Sequence, residues 1–122
     1  ATDAPLSDRQ LGRLCRRGML GLARVGATAR NTSGDLLLAF SNAPENRVER
    51  GDDRVILPSA RLADTRMDIL FQATIEATEE AVLNALVAAE TMTGRNGNTA
   101  YAIPHDRLQE VMARYGRLRS TR

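Results

Sequence analysis

Residues 36–40 read Leu-Leu-Leu-Ala-Phe, and this run narrows the choice of fold more than any other stretch. A strand with one wet face alternates apolar and polar side chains, because successive residues point to opposite sides. An unbroken apolar run of strand length instead suits a strand covered on both faces, in the middle layers of a stack. Ser41 to Asn46 then supplies turn residues that end it. With the helical segments around it, the run points to the α/β class.

The first helix is announced by Ser7-Asp8-Arg9-Gln10, a capping box in which Ser7 caps and Gln10 reaches back. Leu11, Leu14, Cys15, Gly18, Leu22 and Val25 follow at three- and four-residue steps, which predicts one buried helical face. Gly12, Gly18 and Gly21 each weaken a helix by about 1 kcal/mol relative to alanine. Their accumulation predicts close packing against another element. Arg9, Arg13, Arg16, Arg17 and Arg24 fall mostly outside the face and are expected to form a solvated flank, with partner contact as the alternative. Gly26 closes the helix, and residues 27–33 form a polar loop.

Residues 44–65 carry the weakest pattern; a hairpin around Gly51-Asp52, with Val55-Ile56-Leu57 as its second strand, is the expectation there. From Arg66 to Thr93 the spacing of Ile69, Leu70, Ala73, Ala77, Val82, Ala85, Leu86, Ala89 and Met92 predicts one long helix, capped by Gly94. Its small-residue face is suited to lying closely on a sheet. Arg95 to Asn98 reads as a turn, Thr99 to Ile103 as a short extended piece, and Pro104 as the start of a last helix through Tyr115.

The 122 residues fit one domain or a large part of one, and 43% hydrophobic content is enough for a core. That core must be aliphatic, because only 3% of residues are aromatic and Trp is absent. The net charge of +2 comes from arginine alone, interspersed with 15 acidic residues, so neither nucleic acid nor a membrane is expected as a partner. The basic end, Gly116 to Arg122, is read as a frayed terminus in preference to a phosphate-binding tail. Cys15 is the sole cysteine and has no internal partner, which leaves both a cytoplasmic and a periplasmic location open. No apolar run reaches the roughly 18 residues of a bilayer span, and no signal peptide is read. Ala1 to Leu6 reads as the end of a strand entering a loop, so the strand is expected to begin ahead of Ala1.

Ser33 and Asp35 stand two residues apart at the entrance of the apolar run, with Gly34 between them. On a strand they would share one face, and Gly34 would let a backbone or ligand approach. The spacing admits two readings. It is a polar turn, or it is a hydroxyl held by a carboxylate so that the pair orients an attacking group. Other candidates are weaker. His105 is the lone histidine and is expected to cap or face solvent, and without further His or Cys nearby no metal site is expected. Glu76, Glu79 and Glu80 read as a solvated helix face, and Asp3 as a residue bonding loop amides. Thr2 lacks the free amine of an N-terminal nucleophile, and Gly94 to Asn98 lacks the lysine of a phosphate loop.

Taken in order, "ATDAPL", "RRGMLGLARVG", "SGDLLLAFSNA", "ATEEAVLNALVAAETMTGRNGN" and "YAIPHDRLQEVMARYG" resemble the C-terminal chain of the self-processing aminopeptidases. That family holds the L-aminopeptidase/D-amidase/esterase and the β-peptidyl aminopeptidases. The resemblance implies part of a four-layer αββα sandwich, similar to N-terminal-nucleophile hydrolases, completed by a separate N-terminal chain of the same precursor. It implies a homo-oligomer of the two-chain unit, short peptide, amide or ester substrates, and no metal or cofactor. The nucleophile is a serine freed by self-cleavage, its own amine serving as base, placed about half a dozen residues ahead of the "ATDAPL" strand end. Ser33 is implied to bond that serine and its amine, and Asp35, glutamate in some members, to orient Ser33. A nylon-oligomer hydrolase, an ornithine acetyltransferase or a non-catalytic assembly chain are the alternatives.

Overall fold

The computed structural model describes residues 1–118; the end of the basic tail, residues 119–122, lies outside the described residues. Two compact units divide the chain, one of residues 1–80 and one of the residues from 81 onward.

In the first unit, α1 (Asp8–Arg24) opens with the expected reciprocal capping box. Its far end is closed by Gly26 at φ 97°, with Gly26 N donating to Ala23 O and Ala27 N to Leu22 O. These two bonds satisfy carbonyls that the helix leaves orphaned, and the positive φ is why glycine stands there. Leu14, Gly18 and Gly21 are buried, as is the polar Gln10. Leu6, Leu14, Met67 and Phe71 form the core, flanked by Ala4, Leu11, Leu62 and Leu70. The second helix, α2 (Met67–Ala88), enters through a short 3-10 turn at Asp64–Arg66.

The expected close approach of α1 is realised at Gly21. A Cβ there would lie 2.6 Å from Ile75 O and 2.6 Å from Thr78 Cβ. The packed face of α2 is therefore the one bearing Phe71, Thr74, Ile75 and Thr78. It is not the small-residue face read from the spacing: within this chain Ala73 and Ala77 are exposed and Ile69 largely so. An apolar helix without a sharp polar face gives periodicity too little contrast to select which side is buried.

Arg16 of α1 is exposed, as expected of a solvated flank, whereas the other four arginines also make contacts within the chain. Arg17 and Arg13 stack over the Phe71 ring with their guanidinium carbons 3.8 and 4.7 Å from its centroid. Arg24 pairs with Glu79 at 2.9 Å, and Arg9 pairs with Asp64. A planar, weakly hydrated guanidinium covers an aromatic face while keeping its charge wet, so exposure and packing coexist in one side chain.

Gln10 does more than cap. Its amide nitrogen donates to Leu62 O at 2.7 Å and to Asp64 Oδ1 at 2.8 Å, tying the entry of α2 to α1. Arg9 first, then Gln10, hold the Asp64 carboxyl below its ordinary value of 3.8. Because the folded carboxyl is the stronger acid, the stability it contributes is complete above about pH 4. It is lost as pH falls through the folded value. Asp64→Asn should accordingly lower the neutral plateau of a melting-temperature profile and flatten its acid limb, the two proteins converging as pH falls below about 4.

Residues 36–40 form no ladder within the chain, and Leu36 and Leu38 are 97% and 86% exposed. In this chain the expected strand is therefore open on the Leu36 and Leu38 face, while Leu37 on the other face lies against Gly18 of α1. No hairpin forms at Gly51 either. Val55 and Ile56 are exposed without strand partners, and Asp52 is occupied by Arg54. Asn46 instead closes the segment, its side chain bonding both Ala60 O at 3.0 Å and Ala60 N at 2.8 Å.

In the second unit the long helix stops at Ala88, short of the expected Thr93. Met92–Thr93 (β1) pairs antiparallel with Thr99–Ala100 (β2), Met92 opposite Ala100. Gly94 is consequently not a helix cap; its N–H donates to Asn98 O at 2.8 Å in the hairpin turn. Threonines decide the switch. Thr91 Oγ1 accepts from Ala102 N at 3.1 Å and the Thr93 and Thr99 hydroxyls meet at 2.9 Å, bonds unavailable in a continued helix. The last helix, α3 (His105–Arg114), follows Pro104 as expected.

Candidate functional site

The Ser33–Asp35 site is built from a turn, not a ladder. Ser33 N donates to Arg30 O at 2.7 Å, closing a tight turn that follows Ala29, a non-glycine residue at φ 44°. Ser33 Oγ then donates to Asp35 Oδ2 at 2.6 Å, and both residues are exposed. Both sequence readings meet here: a polar turn carries a hydroxyl bonded to a carboxylate. The arrangement has a chemical consequence. A serine has one O–H, and once that is committed to Asp35 the oxygen presents only lone pairs outward. Ser33 is thereby set to accept a hydrogen bond from an amine or a second hydroxyl, and the adjacent carboxylate strengthens it as an acceptor. Gly34 faces open space, with no atom within 4 Å of where a Cβ would stand.

A second observation fixes what lies next to this segment. Thr2 forms a parallel bridge opposite Ser41, with Thr2 N donating to Phe40 O at 3.1 Å and Asn42 N to Thr2 O at 3.0 Å. Ser41 Oγ adds a bond to Ala4 O at 2.6 Å. The beginning of the chain therefore runs alongside the end of the Leu36–Phe40 segment, in the same direction.

The remaining candidates are placed elsewhere. His105 is exposed, and its Nε2 donates to Val87 O at 2.8 Å, so it caps the last turn of α2 and not its own helix. Glu79 is held by Arg24 and Glu76 accepts from Gln72. Asp3 is exposed, and the nearby Ala4 amide is taken by the Thr2 hydroxyl at 3.1 Å instead. Among the described residues no group of three or more His, Cys, Asp or Glu could hold a metal ion, and no helix is long and apolar enough to cross a membrane. The bridge from Thr2 to Ser41 was missed by sequence reasoning, because a single pairing 39 residues apart leaves no local pattern. Asp64, the hub of the Gln10 and Arg9 contacts, was missed for the same reason.

Residues 1–100 match the sequence profile of Peptidase family S58. Two proteins named β-peptidyl aminopeptidase BapA are 40% identical over 97% of this chain (Sphingosinicella microcystinivorans) and 47% identical over 96% (Sphingosinicella xenopeptidilytica). The chain spans 29% of the length of each. The crystal structure of the L-aminopeptidase D-Ala-esterase/amidase of Ochrobactrum anthropi, described as a serine aminopeptidase and a variant of the Ntn hydrolase fold, superposes with a TM-score of 0.85. It is 39% identical over 96% of this chain and 32% of that one.

Proposed function

The chain belongs to peptidase family S58, and from that premise we propose that it is the C-terminal portion of a serine-type aminopeptidase or amidase in which Ser33 and Asp35 support the attacking serine. The observation that carries the reading is the parallel bridge. Were a parallel strand to continue from this bridge, Asp35 and Ser33 would come opposite positions six and eight residues ahead of Thr2. The family resemblance implies a nucleophile about half a dozen residues ahead of Ala1, which falls between those two positions on a neighbouring parallel strand.

In this reading the precursor cleaves itself between a glycine and that serine, leaving a longer N-terminal chain and this shorter one. The freed serine attacks the substrate carbonyl through Oγ while its own α-amine takes the hydroxyl proton. Collapse of the tetrahedral adduct breaks the C–N bond, and the same proton passes to the leaving amine. Water then repeats the sequence on the acyl-enzyme and releases the N-terminal residue as its acid. Ser33 accepts from the nucleophile or its amine, and Asp35 holds Ser33 in that role. The substrates are short peptides, amides or esters. The longer chain covers the exposed face of Leu36 and Leu38 in a four-layer αββα sandwich, and the two-chain units assemble further. This polypeptide by itself lacks the nucleophile and is inactive in this scheme.

Intact-mass measurement and N-terminal sequencing of the native protein test the proposal. The expected result is two chains, the shorter beginning with serine a few residues ahead of Ala1. A single uncut polypeptide with full peptidase activity would overturn it.

A further inference from the structure

We infer that Gly18 is a positioning residue for the Ser33–Asp35 pair, because the side chain it lacks leaves the seat for Leu37. The inference rests on the function proposed above. Exposure alternates along the segment: Leu36 and Leu38 stand out almost fully, whereas Leu37 is 42% exposed and Ala39 half-buried. Residues at alternate positions share a face of an extended segment, so Ser33 and Asp35 belong to the set that Leu37 anchors.

The anchor is tight. A Cβ on Gly18 would lie 2.6 Å from Leu37 Cδ2 and 4.0 Å from its Cγ, with Thr78 Oγ1 at 3.9 Å. The three α1 glycines with helical phase thus have different duties. Gly12 meets nothing within 4 Å, Gly21 meets the backbone of α2, and Gly18 meets a side chain from the segment that carries the pair. Among the described residues, no amide from 34 to 40 donates to a backbone carbonyl of this chain. Ahead of Asp35 the chain is held by the Arg30–Ser33 turn and the Ser33 hydroxyl; after it, Leu37 on Gly18 is the nearest packing contact shown.

Carbon atoms in contact rest about 3.5–4.0 Å apart, so a methyl at position 18 displaces the Leu37 tip by about 1 Å. Leu37 Cδ2 is the far end of a rotatable side chain, so only the share of this displacement that reaches the backbone is passed along toward Asp35; a misplacement of about 1 Å at reacting groups costs on the order of 10²-fold. Part of it is absorbed by rotation of Leu37, and about tenfold in kcat is the expected loss. Ground-state binding does not depend on the pair, so KM should stay within about twofold.

The test is made in the complete two-chain protein, with kcat, KM and melting temperature measured for Gly18→Ala, Leu37→Val, their double variant, and Ser33→Ala. Gly18→Ala is expected to lower kcat about tenfold with little change in KM. The smaller valine should restore the double variant to within about threefold of Leu37→Val alone. Unchanged kcat in Gly18→Ala, or a loss that Leu37→Val does not rescue, overturns the inference. Should Gly18→Ala fail to fold, Leu37→Ala removes the same contact with Gly18 in place. A comparable kcat loss is expected there, and unchanged kcat overturns the inference. Ser33→Ala separates the two levels: if it is fully active, the proposed function itself fails. If it is inactive while Gly18→Ala is fully active, only the positioning role fails.

Discussion

Replacing Ser33 by alanine in the assembled protein is expected to lower kcat/KM at least about tenfold, toward the ~10²-fold that positioned proton-transfer groups contribute. The loss should fall on kcat. Ser33 is exposed, and its side chain touches the fold through one bond, to Asp35, so the melting temperature should hardly move. In the proposed scheme, loss of the hydroxyl would leave the Asp35 carboxylate facing the nucleophile directly. The α-amine of the attacking serine would then sit beside a bare anion, which favours its protonated form and removes the free base. The acid limb of the kcat/KM profile should therefore shift to higher pH in Ser33→Ala. Steady-state hydrolysis of a short peptide amide across pH 5–9 measures both effects. Unchanged kcat/KM would favour a non-catalytic assembly chain.

Gly21→Ala is expected to be the most damaging single methyl in α1. Alanine gains about 1 kcal/mol of helix propensity over glycine. Against this, the added carbon would stand 2.6 Å from Ile75 O and from Thr78 Cβ. A backbone carbonyl and a Cβ cannot rotate aside, so the helices must separate, at a cost of roughly 1–3 kcal/mol that grows with rigidity. The clash should prevail, and each net 1 kcal/mol lowers the melting temperature by about 2–4 °C in a protein of 150–250 residues, less in a larger one. Gly12→Ala supplies the internal control, because open space surrounds it. It should be neutral or stabilising, with activity unchanged. Equal melting temperatures for the two variants would contradict the close α1–α2 approach at Gly21.

Local signals in the sequence were reliable where the physics is local. The capping box at Ser7 and Gln10, the stop at Gly26, the turn from Arg95 to Asn98 and the helix after Pro104 all stand as expected. Each depends on bonds between residues a few positions apart, which spacing and residue type specify together. The Ser33–Asp35 bond belongs to this class, since two residues on one short segment can meet without help from the fold.

The errors fall where a partner from far along the chain, or from another chain, decides. Leu36–Phe40 reads as a strand covered on both faces, yet in this chain it forms no ladder and Leu36 and Leu38 are exposed; in the proposed function their cover comes from the longer chain. The small-residue face of α2 is not the one that meets α1, and an apolar helix without a sharp polar face gives spacing too little contrast to tell its packed sides apart. The arginines were read as solvated because charge suggests water, and composition does not show Phe71 under them. By itself, then, the sequence determined α1 with both its caps, the start of α3, the family membership and the contact of a hydroxyl with a carboxylate. Only the tertiary structure decided that Gly21 admits the backbone of α2, that Leu37 rests on Gly18, and that Thr2 runs parallel to Ser41. Hydrogen bonds and packing between distant residues depend on where the whole chain folds, so no window along it can specify them.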